Sequence, residues 1–478
     1  MASPTANWLR PSLRTACDRC YELKERCERA SPLVGCNRCA RLAQICSNAR
    51  PVRPAGRRPR RREKSASTTS SILPSPAPAS KAAQRPCQTD TRWRDLPGLP
   101  PEQKALLLFF LGQPGTLKSC VVSPGFSDAE QQSFAAPLPE AWPVLKDAYL
   151  ACAGALRLLR PLSETEVDAD AIVNLRHASC AMKTLRFLPV KSSQDAAVCL
   201  TLGTALAIFV YSAVGAGVSD ICHYCLSRAA PFVEAALLDP DVEPLLSFLI
   251  LLETMECFVH RRKPTLRIPL RQSKHVDRHL GLCVPLLRYF YDFCVISHSL
   301  AATTDASLMA RLFQQLDGIQ HAVAAWQPSQ PDDLIQRFEA AEVIHLLAQA
   351  RVYRLAALLV SHRLRYLFGQ EDGQADLLSK EIMMELELAR RTTKQSIRCV
   401  TLPFIIAAVE VREPSARVKT RQDVEEYVDQ FTPAVQKATK IFLLRVWRER
   451  DVKTTCSWFD SAHKPCVVLD SIDATIFT

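Results

Sequence analysis

Six cysteines stand at positions 17, 20, 27, 36, 39 and 46, so the intervals between them are x2, x6, x8, x2 and x6. The x2–x6 rhythm occurs twice, on either side of a loop that holds Pro32 and Gly35. Thiolates are soft donors, and zinc takes four ligands in a tetrahedron. Two separate four-ligand sites would need eight thiolates. Six are enough if two are shared between two ions, and the shared pair should then hold equivalent positions in the two halves. The stretch 17–46 has few large apolar residues, and so short a segment cannot bury enough surface to fold unaided, so a cross-link must hold it. The first twenty residues lack the apolar core of a secretory signal. That places the thiols in a reducing compartment and favours metal over disulfides.

The charge of the chain points the same way. Of 478 residues, 60 are Lys or Arg and 49 are Asp or Glu, a net of +11. Residues 1–64 hold 16 basic and 5 acidic side chains, while the rest of the chain balances at 44 of each. The whole excess therefore sits in a small head on a neutral body. This excludes a uniformly basic protein such as a histone, and it predicts an anionic partner for the head alone. Most of the excess lies in 50–64, where Arg57, Arg58, Arg60, Arg61, Arg62 and Lys64 fall within eight positions. Such a run fits a nuclear-import signal and a phosphate-grasping extension equally well.

The segment ACDRCYELKERCERASPLVGCNRCARLAQIC closely resembles the fungal Zn2Cys6 binuclear-cluster transcription factors. The resemblance implies two zinc ions held by Cys17, Cys20, Cys27, Cys36, Cys39 and Cys46, with Cys17 and Cys36 bridging. Each bridging residue would open one of two short helices related by a pseudo-twofold axis. In the family the first helix enters the major groove over a CGG triplet. Lys24 keeps the lysine that meets the guanines, where an ammonium suits the O6 and N7 acceptors. Arg26 keeps a second basic position and would meet phosphate. Tyr21, Glu22, Leu23 and Glu25 depart from the family's basic run, so this helix should bind more weakly than usual. Arg14, Arg19, Arg38 and Arg41 are further phosphate candidates, because positioning contacts outnumber base contacts. The implied function is a nuclear, sequence-specific regulator of RNA polymerase II transcription that binds double-stranded DNA and recruits the transcription machinery or coactivators. The stretch LLETMECFVHRRKPTLRIPLRQSKHVDRHLGLCVPLLRYFYDFC (251–294) resembles the regulatory region of such factors, notably activators of secondary-metabolite gene clusters.

The rest of the chain must present this head. Residues 1–16 read as a polar arm, 17–46 as the zinc-stabilised two-helix domain, and 47–101 as a basic and then Ser/Pro-rich linker. Residues 102–450 read as one large all-α regulatory domain, and 451–478 as a tail mixing aromatic, aliphatic and acidic residues. Apolar residues recurring at three and four predict helices near 142–160, 165–187, 194–214, 219–238, 242–260, 276–298, 305–326, 332–367, 375–395 and 420–450. No apolar heptad can be written through the residues after 64, so a zipper is not expected. A monomer, or a dimer through the helical body, stays open. Residues 196–219 carry no charge and are long enough to span a bilayer. Their Thr, Ser and Gly content and the missing aromatic belts instead predict a buried core helix, and no membrane partner. The motif Cys222-His223-Tyr224-Cys225 reads as buried thiols on a helix, since no strand–helix context or second ligand pair accompanies it. The basic loop at His260–Lys263 reads as a capping loop paired to local acids such as Glu253, Glu256 and Asp277, or as a site for an acidic partner. No nucleophile elbow, phosphate loop, dinucleotide fingerprint or zincin motif is present, so no enzyme is expected. A reading of a different class is a helical scaffold or ligand-sensing protein whose zinc head contacts protein.

Overall fold

The computed structural model describes residues 17, 20, 27–28, 36–42, 46, 99–159, 167–215, 217–268 and 275–454. The N-terminal arm, the 57–64 run, most of the 47–101 linker and the tail beyond Thr454 lie outside the described residues. The chain divides into a unit of residues 1–84 and a unit of residues 85–478. The first contributes the short helix α1 (Asn37–Arg41).

The helices that follow belong to the second unit, which has no strand among the described residues. Its first half is built from α2 (Pro101–Leu107), α3 (Ser127–Ala135), α4 (Leu138–Leu158), α5 (Val167–Phe187), α6 (Ser193–Ala213), α7 (Val218–Glu234) and α8 (Glu243–His260). Its second half holds α9 (Val284–Ala302), α10 (Ala306–Ala325), α11 (Leu334–Arg337), α12 (Ala340–Arg365), α13 (Asp372–Thr393), α14 (Thr401–Ala408), α15 (Pro414–Tyr427) and α16 (Pro433–Asp451). Proline sits in the first turn of α2, α4, α8, α9, α15 and α16, where its missing N–H has no intrahelical acceptor to lose.

The uncharged stretch forms α6, whose residues are almost all buried, and it packs against α4, α5, α7, α8 and α16. It is a core helix. Ser192 and Asp195 close a capping box at its start. Gly203 lies against Cys225 of α7: a Cβ there would stand 2.4 Å from the Cys225 sulfur, so the two helices meet at this closeness because the position is glycine. Cys222 and Cys225 are buried core thiols, and His223 turns outward to Thr265 at 2.6 Å.

Three predicted helices are corrected. The 276–298 helix starts only at Val284. Residues 277–281 form a turn instead, closed by paired backbone hydrogen bonds between Asp277 and Gly281 and requiring a positive φ at Gly281. The 332–367 pattern breaks before Ala340, where Glu339 and Glu342 build a new capping box. The 420–450 pattern is two helices: α15 ends at Tyr427, and Pro433 cannot continue it. The 260–268 loop is docked, in part on one of the acids expected for it, Glu253. The Arg261 guanidinium donates to the Ser297 hydroxyl and carbonyl, Glu253 accepts from Thr265, Arg267 pairs with Asp292, and Asp277 accepts the amides of its own turn.

That turn pins the start of the body to its middle. His279 is 1 % exposed, with Nδ1 3.0 Å from the Cys120 carbonyl and Nε2 3.4 Å from Glu130, itself fully buried. A carbonyl accepting at one ring nitrogen and a carboxylate beside the other favour the doubly protonated imidazolium. Arg278 meets the same carboxylate at 3.1 Å. Burial pushes Glu130 up, but the His279 and Arg278 cations hold it below the usual carboxylate range. Burial pulls His279 down, and the Glu130 and Asp277 carboxylates raise it above the ordinary value, against Arg278. Glu130 therefore contributes stability that is present above about pH 4.3 and is lost as pH falls through its depressed value. His279 contributes stability that is present below about pH 6.5 and is lost as pH rises through its raised value. Against His279→Gln in urea unfolding, the wild-type advantage is expected to be largest between these limits and to narrow above them. An advantage that grows above neutral pH contradicts the pairing.

Candidate metal centre

The six cysteines come together. Cys17, Cys20, Cys36 and Cys39 are at most 2 % exposed, and Cys27 and Cys46 are partly buried against them. The sulfur of Cys17 lies 3.8 Å from that of Cys36 and 3.8 Å from that of Cys39, and Cys20 lies 3.7 Å from Cys36. Four thiolates at a zinc–sulfur distance of about 2.3 Å define a tetrahedron with edges of about 3.8 Å. Two sets of four sulfurs fall within 4.8 Å of one another: Cys17, Cys20, Cys27 and Cys36, and Cys17, Cys36, Cys39 and Cys46. Either set could hold a metal ion, and Cys17 and Cys36 belong to both.

The backbone repeats itself around this pair. The Cys20 N–H donates to the Cys17 sulfur at 3.4 Å, and the Cys39 N–H donates to Cys36 at 3.4 Å. The Cys17 N–H donates to Cys27 at 3.3 Å, and the Cys36 N–H donates to Cys46 at 3.3 Å. Each hydrogen bond of one half thus has its counterpart nineteen residues on. Cys36 caps α1 in an extended conformation, and the Asn37 N–H donates to the Glu28 carbonyl, which ties the halves together. These amide and carbonyl contacts have no signature in the sequence, because every residue carries the same groups.

The same two sulfurs are held toward the thiolate. Burial pushes the Cys17 thiol up, but the Cys20 N–H and the neighbouring thiols bring it down to about 5. The Cys39 N–H lowers Cys36 against its burial, to about 7. Cys20 is pushed up to about 12 by the Cys17 sulfur and by burial, and the Cys36 sulfur and burial push Cys39 up likewise. Of the basic residues assigned to DNA, Arg38 and Arg41 lie on α1, whose Cys39 points inward while Arg41 is exposed and Arg38 half-buried. Arg14, Arg19, Lys24 and Arg26 lie outside the described residues.

The body settles the family. The model of the fungal specific transcription factor domain matches residues 163–467, more than half of the chain. The chain belongs to this family. No curated protein and no solved structure matches it. The fungal transcription factor domain takes in the helices from α5 to α16 and contains the 251–294 stretch. The chain is accordingly a fungal transcription regulator, and its family implies DNA and the transcription machinery as partners in general. The cysteine head precedes the matched residues, so its own role rests on the sulfur geometry and on the resemblance of its spacing.

Proposed function

We propose that this protein is a nuclear, zinc-dependent, sequence-specific DNA-binding regulator, an activator of a fungal secondary-metabolite gene cluster. The observation that carries the reading is the pair of sulfur tetrads sharing Cys17 and Cys36. Two zinc ions fit this donor set: all donors are thiols, the spacings suit a tetrahedron, and the shared pair is the one that repeats under the nineteen-residue offset. Cys20 and Cys27 would complete one site, and Cys39 and Cys46 the other. Zinc supplies a cross-link there, in a segment with too little apolar surface to fold by itself.

The head then offers cations to a polyanion. Lys24 is the base-reading side chain, and Arg14, Arg19, Arg26, Arg38 and Arg41 position the phosphates. The run Arg57–Lys64 adds sequence-independent attraction and serves nuclear import. Three acids beside the reading helix, Asp18, Glu22 and Glu25, oppose that attraction, so affinity rests largely on the run. Fluorescence anisotropy of the full chain at physiological salt tests this. A CGG-containing duplex is expected to bind about tenfold more tightly than a scrambled one. Lys24→Ala should lose most of that preference while changing bulk affinity little, and Arg61→Ala should lower the log–log salt slope by about 0.9. Equal binding of both duplexes would sink the reading in favour of a protein-contacting head.

A further inference from the structure

A cleft of about 340 Å³ opens between α13 and α15, within the range of about 300–1,000 Å³ typical of small-molecule sites. On α15 it is lined by Ala416, Thr420, Asp423 and Tyr427, whose spacings of four, three and four put them on one face. Three of these lack partners. Thr420 is 5 % exposed and Tyr427 3 %, and neither hydroxyl has a hydrogen bond among the described residues. Buried helical hydroxyls elsewhere in the body, such as those of Thr201 and Ser212, donate to the carbonyl four residues back. Thr420 does not. Asp423 is half-buried and makes no hydrogen bond or ion pair among the described residues, and its burial pushes the carboxyl up against the pull of Lys419 and Arg390. Buried polar groups in native proteins are nearly always satisfied, so three open ones along one face point to a ligand.

The charges around the cleft narrow its chemistry. Lys380 closes on Asp376 at 2.7 Å and Arg412 on Asp372 at 2.6 Å, so neither is free. Glu413, on the rim, accepts from the Ser415 hydroxyl. Glu387 faces three cations, Arg390 at 2.8 Å, Arg391 at 2.7 Å and Lys419 at 4.0 Å. The two short pairs already balance that carboxylate, which leaves Lys419, the most distant, as a surplus cation. Asp423 stands one turn further along α15 as an unpaired anion. The two are i and i+4, about 5–6 Å apart at their Cβ atoms, and form no pair of their own. The Thr420 and Tyr427 hydroxyls lie one turn to either side of Asp423. Three acceptors on one face match the three N–H groups of a primary ammonium. A bare amine would meet repulsion from Lys419, and a bare acid from Asp423. A molecule with both signs on one carbon meets neither.

We propose that the cleft between α13 and α15 binds a small zwitterion, an α-amino acid with an apolar side chain. Its ammonium sits on Asp423, Thr420 and Tyr427, its carboxylate on Lys419, and its side chain against Met383, Val411 and Ala416, which also line the cleft. The site lies inside the matched family domain and does not rest on the zinc or DNA readings above.

Isothermal titration calorimetry of the full chain tests this with L-leucine and its two halves as probes. Isopentylamine is leucine without the carboxylate, and 4-methylpentanoate is leucine without the ammonium. Leucine is expected to bind with a Kd below about 1 mM, and each half at least about tenfold more weakly. Asp423→Asn should bind leucine no better than 4-methylpentanoate, and Lys419→Met no better than isopentylamine. Tyr427→Phe should weaken leucine about threefold or more while leaving the urea midpoint unchanged, since its hydroxyl has no partner to lose. No heat from leucine at about 10 mM overturns the proposal. So does isopentylamine binding as tightly as leucine, which marks a site for amines alone, or a leucine affinity indifferent to Asp423→Asn.

Discussion

Cys17→Ala is expected to remove both zinc ions from the head, whereas Cys46→Ala removes one. Cys17 belongs to both sulfur tetrads, and Cys46 to the second alone. A structural zinc site is worth about 10–16 kcal/mol to the segment it folds, far more than a stretch this short recovers from burial. On the proposed reading, loss of both ions is therefore expected to unfold residues 17–46 and abolish DNA binding. Cys36→Ala should behave like Cys17→Ala, because the hydrogen bonds around the two are counterparts. Native mass spectrometry of the full chain reads the metal count directly, with two zinc ions expected for the wild type. One ion in the wild type would falsify the binuclear centre. A Cys17→Ala chain that keeps as much zinc as Cys46→Ala would show that the sulfur is not shared. The body should be unaffected in all of these variants.

In the body the largest expected loss comes from Arg363→Ala. Arg363 and Glu410 are each 1 % exposed and pair in a bidentate contact of 2.9 and 2.7 Å. The remaining N–H groups donate to Asp372 at 2.8 Å and to the carbonyls of Leu367 and Gln370 at 3.2 and 3.3 Å. One side chain of α12 thus holds the turn before α13, the first residue of α13 and the end of the α14 segment. Burial opposes the Arg363 charge, and the Glu410 and Asp372 carboxylates more than offset it, leaving the guanidinium above its ordinary value. Truncation strands the Glu410 carboxylate in a place water does not reach, which costs about 3–5 kcal/mol. Replacing both partners with apolar residues of similar volume should recover most of that loss, because a buried pair roughly breaks even against a hydrophobic isostere. Urea unfolding of Arg363→Ala and of Arg363→Met with Glu410→Leu makes the comparison. A single variant within about 1 kcal/mol of wild type would show that the pair does not anchor the body.

Much of this was legible beforehand, for identifiable reasons. Thiol spacing is a property of the chain order, so the x2–x6 repeat by itself points to six converging sulfurs. Helices with one apolar stripe, such as α7 and α10, were read to within a few residues. The readings failed where something other than periodicity decides. A run through 276–298 has helical spacing, but the Asp277 carboxylate and the positive φ of Gly281 favour a turn. The eight residues of α14 are apolar on every side, so they show no period at all. In α13 the pattern shows apolar residues on two faces, and nothing in the order of letters says which is core.

By itself, then, the sequence determined the clustering of the six cysteines, the charge of the head, the helical class of the body and the burial of α6, because each depends on residue type and spacing alone. The tertiary structure decided which sulfurs belong to both tetrads, that Arg363 takes Glu410, and which face of α13 is left to solvent. Those are distances between residues far apart in the chain, set by packing helices against one another, and no local pattern encodes them.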